Sequence, residues 1–431
     1  MQANRKITRS EKKLFFIAGL AIVFIIAFGA WRQYVDAIPE VEIPTPKMPS
    51  PNAYDFYVKA GAAIIPANPS VDAIYERDAT KVFPKAQWKT RYPTAKKEAW
   101  LRRNAKALKL LRQGFKYPCR VPPKRSSDDH SRKTRPNMRA LARMLSVENH
   151  ARSERGHWKG NIENTIDILK LGHDVSQGGT VDDCLIGAAI NATGRRDLWE
   201  ILPHLNAADA MAATRRLEKI IATRVSYADV LREEKYYIQE VISKVMHSWR
   251  ATNLLRETDL PLKERWRNFA TPRRVILNNY TNYMDSWIAY VRKPYNTKTF
   301  IPALPDDFVN QVWGHLFKRS YWNYTRDEVS NSLCLVALAL RAYRMDHNRY
   351  PQKLNQLVPS YLKKIPIDPF GAGEPLHYKL AGREYSLYSI GPDGIDNGGR
   401  ATENAKYPKG DYGHFLTSPE SKGDFVAGIN R

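Results

Sequence analysis

Two groups of residues have types and spacings that could do chemistry. His150, Glu154 and His157 fall at i, i+4 and i+7, a helical spacing that could turn two imidazoles and a carboxylate toward one ion. Gly156 interrupts that set, and the alternative places His157 in a turn beside Trp158. The second group is cationic. From Lys81 to Arg143 there are 20 Lys and Arg against three acids (Glu98, Asp128 and Asp129), in a chain whose net charge is +24. Its dense centre holds the candidate binding residues Lys96, Lys97, Arg102, Arg103, Lys106 and Lys109. Trp88, Tyr92, Trp100, Phe115 and Tyr117 are interleaved with these charges. Cations mixed with aromatics can grip nucleic acid through phosphate contacts and base stacking. The same charges suit anionic lipid headgroups or a wall polymer, or form a solvated face. No Gly-x-Ser-x-Gly, His-Glu-x-x-His or phosphate-binding loop occurs, so catalysis is not indicated.

The elements that must position these residues are mostly helical. Ala99–Phe115, Pro136–Arg155, Asn161–Ser176, Thr180–Leu202 and Ala207–Ile242 carry apolar residues at helix period. Gly156 and Gly178-Gly179 punctuate their ends, and Thr180 with Asp183 opens the next helix as a capping box. Short turns between amphipathic helices imply antiparallel hairpins, and no repeat at fixed period is present. Val121–Pro136, rich in Pro, Ser and cations, is expected to be a loop. Three cysteines make no disulfide framework: Cys334 lies in an apolar helix, and Cys119 could pair with Cys184.

The C-terminal part is a different unit. Leu333–Tyr343 is apolar all round, and Tyr350-Pro351 ends its helix because proline cannot donate to the ladder. Asp368-Pro369-Phe370-Gly371 has turn chemistry. Tyr378–Leu380 and Glu384–Ile390 are expected strands joined by Ala381-Gly382-Arg383, giving a helix on a small antiparallel sheet.

This order of motifs, with Leu362-Lys363-Lys364-Ile365-Pro366 before the Asp-Pro turn and Ser389-Ile390-Gly391-Pro392-Asp393-Gly394 after the strands, resembles the globular domain of the major pseudopilin of type II secretion systems. The resemblance spans roughly residues 325–400. It implies a calcium ion held by Asp393, Asp396 and Asn397 with the carbonyl of Ile390. Calcium takes about six to eight oxygens, so Glu403 or Asp411 would have to complete the shell. The alternative is a pair of turns that needs no ion. Arg9-Ser10-Glu11-Lys12-Lys13 stands where the family carries its processing leader, so polymerisation as a pilin subunit is not expected.

Leu14–Trp31 holds no charged residue, and its 18 residues match a bilayer core of roughly 30 Å. Arg5, Lys6, Arg9, Lys12 and Lys13 before it favour a cytoplasmic N-terminus. Ile38–Pro51, with five prolines, is an expected spacer. The expected fold is α+β: a basic tail (1–13), a transmembrane anchor (14–31), a linker (38–51), an all-α helical-hairpin domain (54–320) and a pseudopilin-like domain (325–431). The expected function is non-enzymatic: a single-pass protein of the bacterial inner membrane with a structural or assembly role beside pseudopilins or other secretion-system proteins. The alternative is a basic envelope-binding module for anionic lipid, wall polymer or DNA, with nucleic acid ranked below the others.

Overall fold

The structure is a computed structural model that describes residues 9–35, 41–65, 93–123, 130–245, 271–295, 301–305, 314, 316–402 and 419–428. It divides into two compact units. One takes Met1–Pro44, Ile238–Tyr283 and Ala303–Gly314; the other takes Thr45–Tyr237, Met284–Pro302 and His315–Arg431. Eleven α-helices are present among the described residues: α1 (Arg9–Val35), α2 (Ala53–Ala62), α3 (Thr94–Arg103), α4 (Ala105–Gly114), α5 (His130–Ser153), α6 (Trp158–Asp174), α7 (Val181–Ile201), α8 (Ala207–Ala222), α9 (Tyr227–Val245), α10 (Arg273–Tyr290) and α11 (Leu316–His347). The strands are β1 (His377–Ala381), β2 (Glu384–Ser389) and β3 (Phe425–Val426).

The described residues are 63% helical with one three-stranded sheet, so the α+β expectation gives the strands too much weight. Its transmembrane anchor is also overturned. Helix α1 covers the apolar run, and Phe16, Phe24 and Ile26 on it are exposed. Among the described residues no helix is long and apolar enough to cross a membrane, which withdraws the single-pass anchor and the inner-membrane localisation built on it. Pro-rich residues 41–49 have no regular structure, while His130–Pro136, expected as a loop, already belongs to α5.

In the larger unit, local chemistry sets the helix ends. Asn206 caps α8 by accepting from the Asp209 N–H at 2.8 Å. The Thr180 N–H donates to Asp183 Oδ2 at 3.0 Å, closing the expected capping box of α7. Helices α6 and α7 meet backbone to backbone. A Cβ at Gly172 would lie 2.7 Å from the Gly187 carbonyl oxygen, and one at Gly187 would lie 2.4 Å from that of Gly172. No other residue fits both positions.

Two apolar cores result. One joins α2, α4 and α5 through Tyr57, Leu111, Leu141 and Met144. The other runs from Ile162 on α6 through α7, α8 and the apolar middle of α11 to Leu387 and Phe425 of the sheet. Helix α11 is 32 residues, about 48 Å, and ends just before Tyr350-Pro351. The hairpin pairs Tyr378 with Leu387 and turns at Gly382, whose φ of +61° is the left-handed conformation that glycine adopts without a Cβ clash. Strand β3 adds to β2 through Tyr388–Val426 and Ser389–Phe425.

Candidate functional site

The cationic candidates lie on α3 and α4. Arg103 closes α3 and Ala105 opens α4, with only Asn104 between the two helices, at φ −96° and ψ 15°. Hydrogen bonds run through the junction, since Asn104 N–H reaches Trp100 O and Leu108 N–H reaches Asn104 O. Fully buried Asn104 explains the break. Its side chain donates to Ile65 O at 3.1 Å and accepts from Ile65 N–H at 2.8 Å, tying the chain after α2 to the bend. The apolar side of α4, with Ala107, Leu108 and Leu111, enters the core. The opposite side is therefore forced outward.

On that outer side Lys106 and Lys109 stand at helical spacing on α4, with Arg102 before the bend at Asn104 and Lys116 in the turn after the helix. Arg102, Lys109, Arg112 and Lys116 rim a shallow depression of about 600 Å³ floored by Leu101, Ala105 and Leu108. Arg112 is paired with Glu148 at 2.6 Å, and Lys97 with Glu154 at 2.8 Å. Lys96, Arg102, Arg103, Lys106, Lys109 and Lys116 are exposed and, among the described residues, take part in no ion pair. The aromatics have other duties. Trp100 Nε1 donates to Ile65 O, Tyr117 stacks on Phe56 at 5.2 Å, and Phe115 leans on Tyr57 at 5.6 Å. This face offers charge without rings for base stacking. Trp88, Tyr92 and the stretches 81–92 and 124–129 lie outside the described residues.

The C-terminal motif residues stitch their own loop. Asp393 accepts from the N–H groups of Ile395 and Gly423, Asp396 accepts from Gly398 N–H, and the Asn397 amide donates to Ile395 O. Asp424, wholly buried, accepts from Asn397 and Gly399 N–H groups. Ile390 contributes its N–H to Asp368 at 2.9 Å. Asp368 also accepts from Phe370 N–H and Ser389 Oγ, so one carboxylate joins the Asp-Pro turn to the end of β2. Among the described residues no three His, Cys, Asp or Glu side chains are grouped to hold a metal ion. Glu403 and Asp411 lie outside them.

The helical His150, Glu154 and His157 set is not assembled either. Helix α5 ends at Ser153, Glu154 turns to Lys97, and His157 precedes α6. Burial pulls the His150 imidazole below its ordinary range. Cys119, Cys184 and Cys334 are free thiols, and burial pushes Cys184 and Cys334 up to about 12, which leaves them inert.

Sequence reasoning missed a buried ion cluster in the helical core. Asp327 on α11 accepts from Arg195 Nη1 at 2.5 Å, Arg224 Nη1 at 3.0 Å and Asn191 Nδ2 at 3.0 Å. Asn331 completes it, accepting from Arg195 at 2.8 Å and donating to Asp327 at 3.2 Å. Burial alone would raise the Asp327 carboxyl, yet Arg195 and Arg224 hold it below its ordinary value. Arg224 also lies over the Tyr324 ring, 4.1 Å from its centroid. Nearby His173 falls to about 4 through burial and the charges of Lys170 and Arg224. The available signal was two polar pairs at i, i+4 on otherwise apolar helix faces: Asn191/Arg195 and Asp327/Asn331. The charged members satisfy one another while Asn191 Oδ1 is left without a partner, and the cluster is a structural joint between α7, α11 and the turn after α8.

Compared with family models, curated proteins and solved structures, the chain matches none. The absence of a spanning helix among the described residues overturns the membrane-anchor description, and the secretion-system and calcium descriptions have no support beyond the motif resemblance.

Proposed function

We propose that this chain is a binding protein that holds a linear, phosphate-bearing polyanion on the exposed side of α3 and α4. The observation that carries the reading is the stripe Arg102–Lys106–Lys109–Lys116, exposed and, among the described residues, without carboxylate partners. An unpaired cation in water is free to exchange its counterions for phosphates, and the released ions drive binding. With Trp100, Phe115 and Tyr117 committed to the fold, recognition is by charge and not by base identity. The shallow depression suits an extended chain laid along the helix axis.

Inorganic polyphosphate, which carries phosphate and no rings, is the direct probe. With four phosphate contacts, one for each cation of the stripe, the affinity of the full chain is expected to fall about a hundredfold between roughly 50 and 200 mM salt. Lys106→Glu with Lys109→Glu is expected to abolish binding at the higher salt. Affinity that is flat with salt, or unaltered by this charge reversal, overturns the proposal.

A further inference from the structure

A second site, unrelated in chemistry and built from other residues, lies in the larger unit. A cleft of about 340 Å³ opens where the end of α10 and the first turns of α11 meet the loops at 393–395 and 419–422. That volume sits at the small end of the ~300–1,000 Å³ range of small-molecule pockets. Trp287, Tyr290, Tyr295 and Tyr321 form its apolar wall. Their rings meet at steep angles: 83° between Trp287 and Tyr290, 75° between Tyr290 and Tyr321, and 45° between Tyr295 and Tyr321. They therefore make a corner and not a closed stack. Tyr321 is fixed from behind by stacking on Tyr227 at 5.3 Å, and Tyr295 rests edge-on against Phe370 at 4.9 Å.

The hydroxyl groups distinguish this wall from ordinary core. In the same aromatic cluster Tyr227 OH pairs with Ser320 Oγ, and Tyr324 OH donates to Val225 O at 2.9 Å. Tyr321 is only 7% exposed, yet its hydroxyl has no hydrogen-bond partner among the described residues, and neither has that of Tyr295. Neither phenol oxygen is sealed from solvent, so each reaches the cleft and is open to a hydrogen bond from a ligand. Burial raises both phenols above their ordinary value, so both keep their proton and can donate.

The charges on the rim balance. Asp393 and Glu420 face Lys318 and Lys422, with Lys318 and Glu420 paired at 3.4 Å. Asp393 is held in place by the N–H groups of Ile395 and Gly423. An aromatic corner with uncompensated acids would suit a quaternary ammonium ion, but here two ammonium groups cancel the acids. The ligand expected is neutral, with one apolar face and a rim of hydroxyls that both donate and accept. A pyranose has that form: axial C–H groups on one face and equatorial hydroxyls around it.

We infer that this cleft binds a neutral pyranose sugar, stacked on Tyr295 and hydrogen-bonded by Tyr321. The test uses the full chain with glucose, N-acetylglucosamine, cellobiose and chitobiose, followed by saturation-transfer NMR and calorimetry. At least one of the four is expected to bind, with Tyr295→Ala removing the signal. Tyr321→Phe deletes one oxygen and keeps the ring. It is expected to weaken binding by about tenfold with an unchanged melting temperature, the loss of one hydrogen bond. The inference is overturned if none of the four sugars shows transfer, if tetramethylammonium binds in their place, or if both variants bind as the parent chain does.

Discussion

Arginine is used in two opposite ways in this molecule. On α3, Arg102 and Arg103 stand exposed and, among the described residues, without carboxylate partners, while in the α7–α11 joint Arg195 and Arg224 are withdrawn from water around one carboxylate. The guanidinium is the same; its surroundings decide whether it holds the fold together or waits for a ligand. In the interior each charge must be matched, because desolvating an ion costs several kcal/mol that only a well-placed partner offsets. On the surface an unmatched cation costs little, and its charge remains available to an external anion.

The comparison is broken most directly at Asp327. Asp327→Asn keeps the shape but leaves two arginines without their counter-charge, and is expected to cost about 3–5 kcal/mol in denaturant unfolding. A loss below about 1 kcal/mol would mean that water reaches the joint and that it resembles the surface after all. Acid is the next lever, and it separates two windows. The His173 pKa is lowered to about 4, so between the ordinary imidazole value of about 6.5 and about 4 the unfolded chain binds a proton that the folded chain refuses. Stability from this group is full above that window and declines through it as pH falls, by on the order of 3 kcal/mol at most. The Asp327 contribution persists through that window. It is lost only when its carboxyl, held below the ordinary carboxylate range, takes its proton. His173→Gln is expected to flatten the upper window and leave the lower one; a profile unchanged by that substitution would remove His173 from the account. The smallest effect belongs to the surface. Lys106→Glu with Lys109→Glu is expected to change unfolding free energy by no more than about 0.5 kcal/mol. A larger loss would show that the stripe serves the fold, and would undercut the proposed ligand.

Much of the local structure was legible beforehand. Thr180–Asp183 signalled the start of α7, Gly178 takes the left-handed conformation at φ +71°, and the hairpin around Gly382 falls where alternation and turn residues placed it. Each of these signals acts within a few residues. The role of the C-terminal motifs was less legible. Asp368 and Ser389 were read as parts of two separate segments, and their hydrogen bond shows why both are needed at once. The aromatics among the cations pointed to stacking on bases, but Trp100 and Tyr117 had partners at Ile65 and Phe56 that no local pattern reveals. The cleft at Tyr321 left no trace in spacing, since Trp287, Tyr321 and Asp393 come from distant parts of the chain.

The amino-acid sequence alone determined where helices begin and stop, where the hairpin turns and where the cations cluster, because caps, turns and helical periodicity depend on neighbours along the chain. Only the tertiary structure decided which charges are spent and which remain available. Arg195 and Arg224 meet Asp327 across separations of 132 and 103 residues, and Tyr321 comes to face a cleft built from distant elements. The physical reason is desolvation: a charge or hydroxyl acquires its energetic meaning from the water that packing removes around it, and packing is settled only when the whole chain folds.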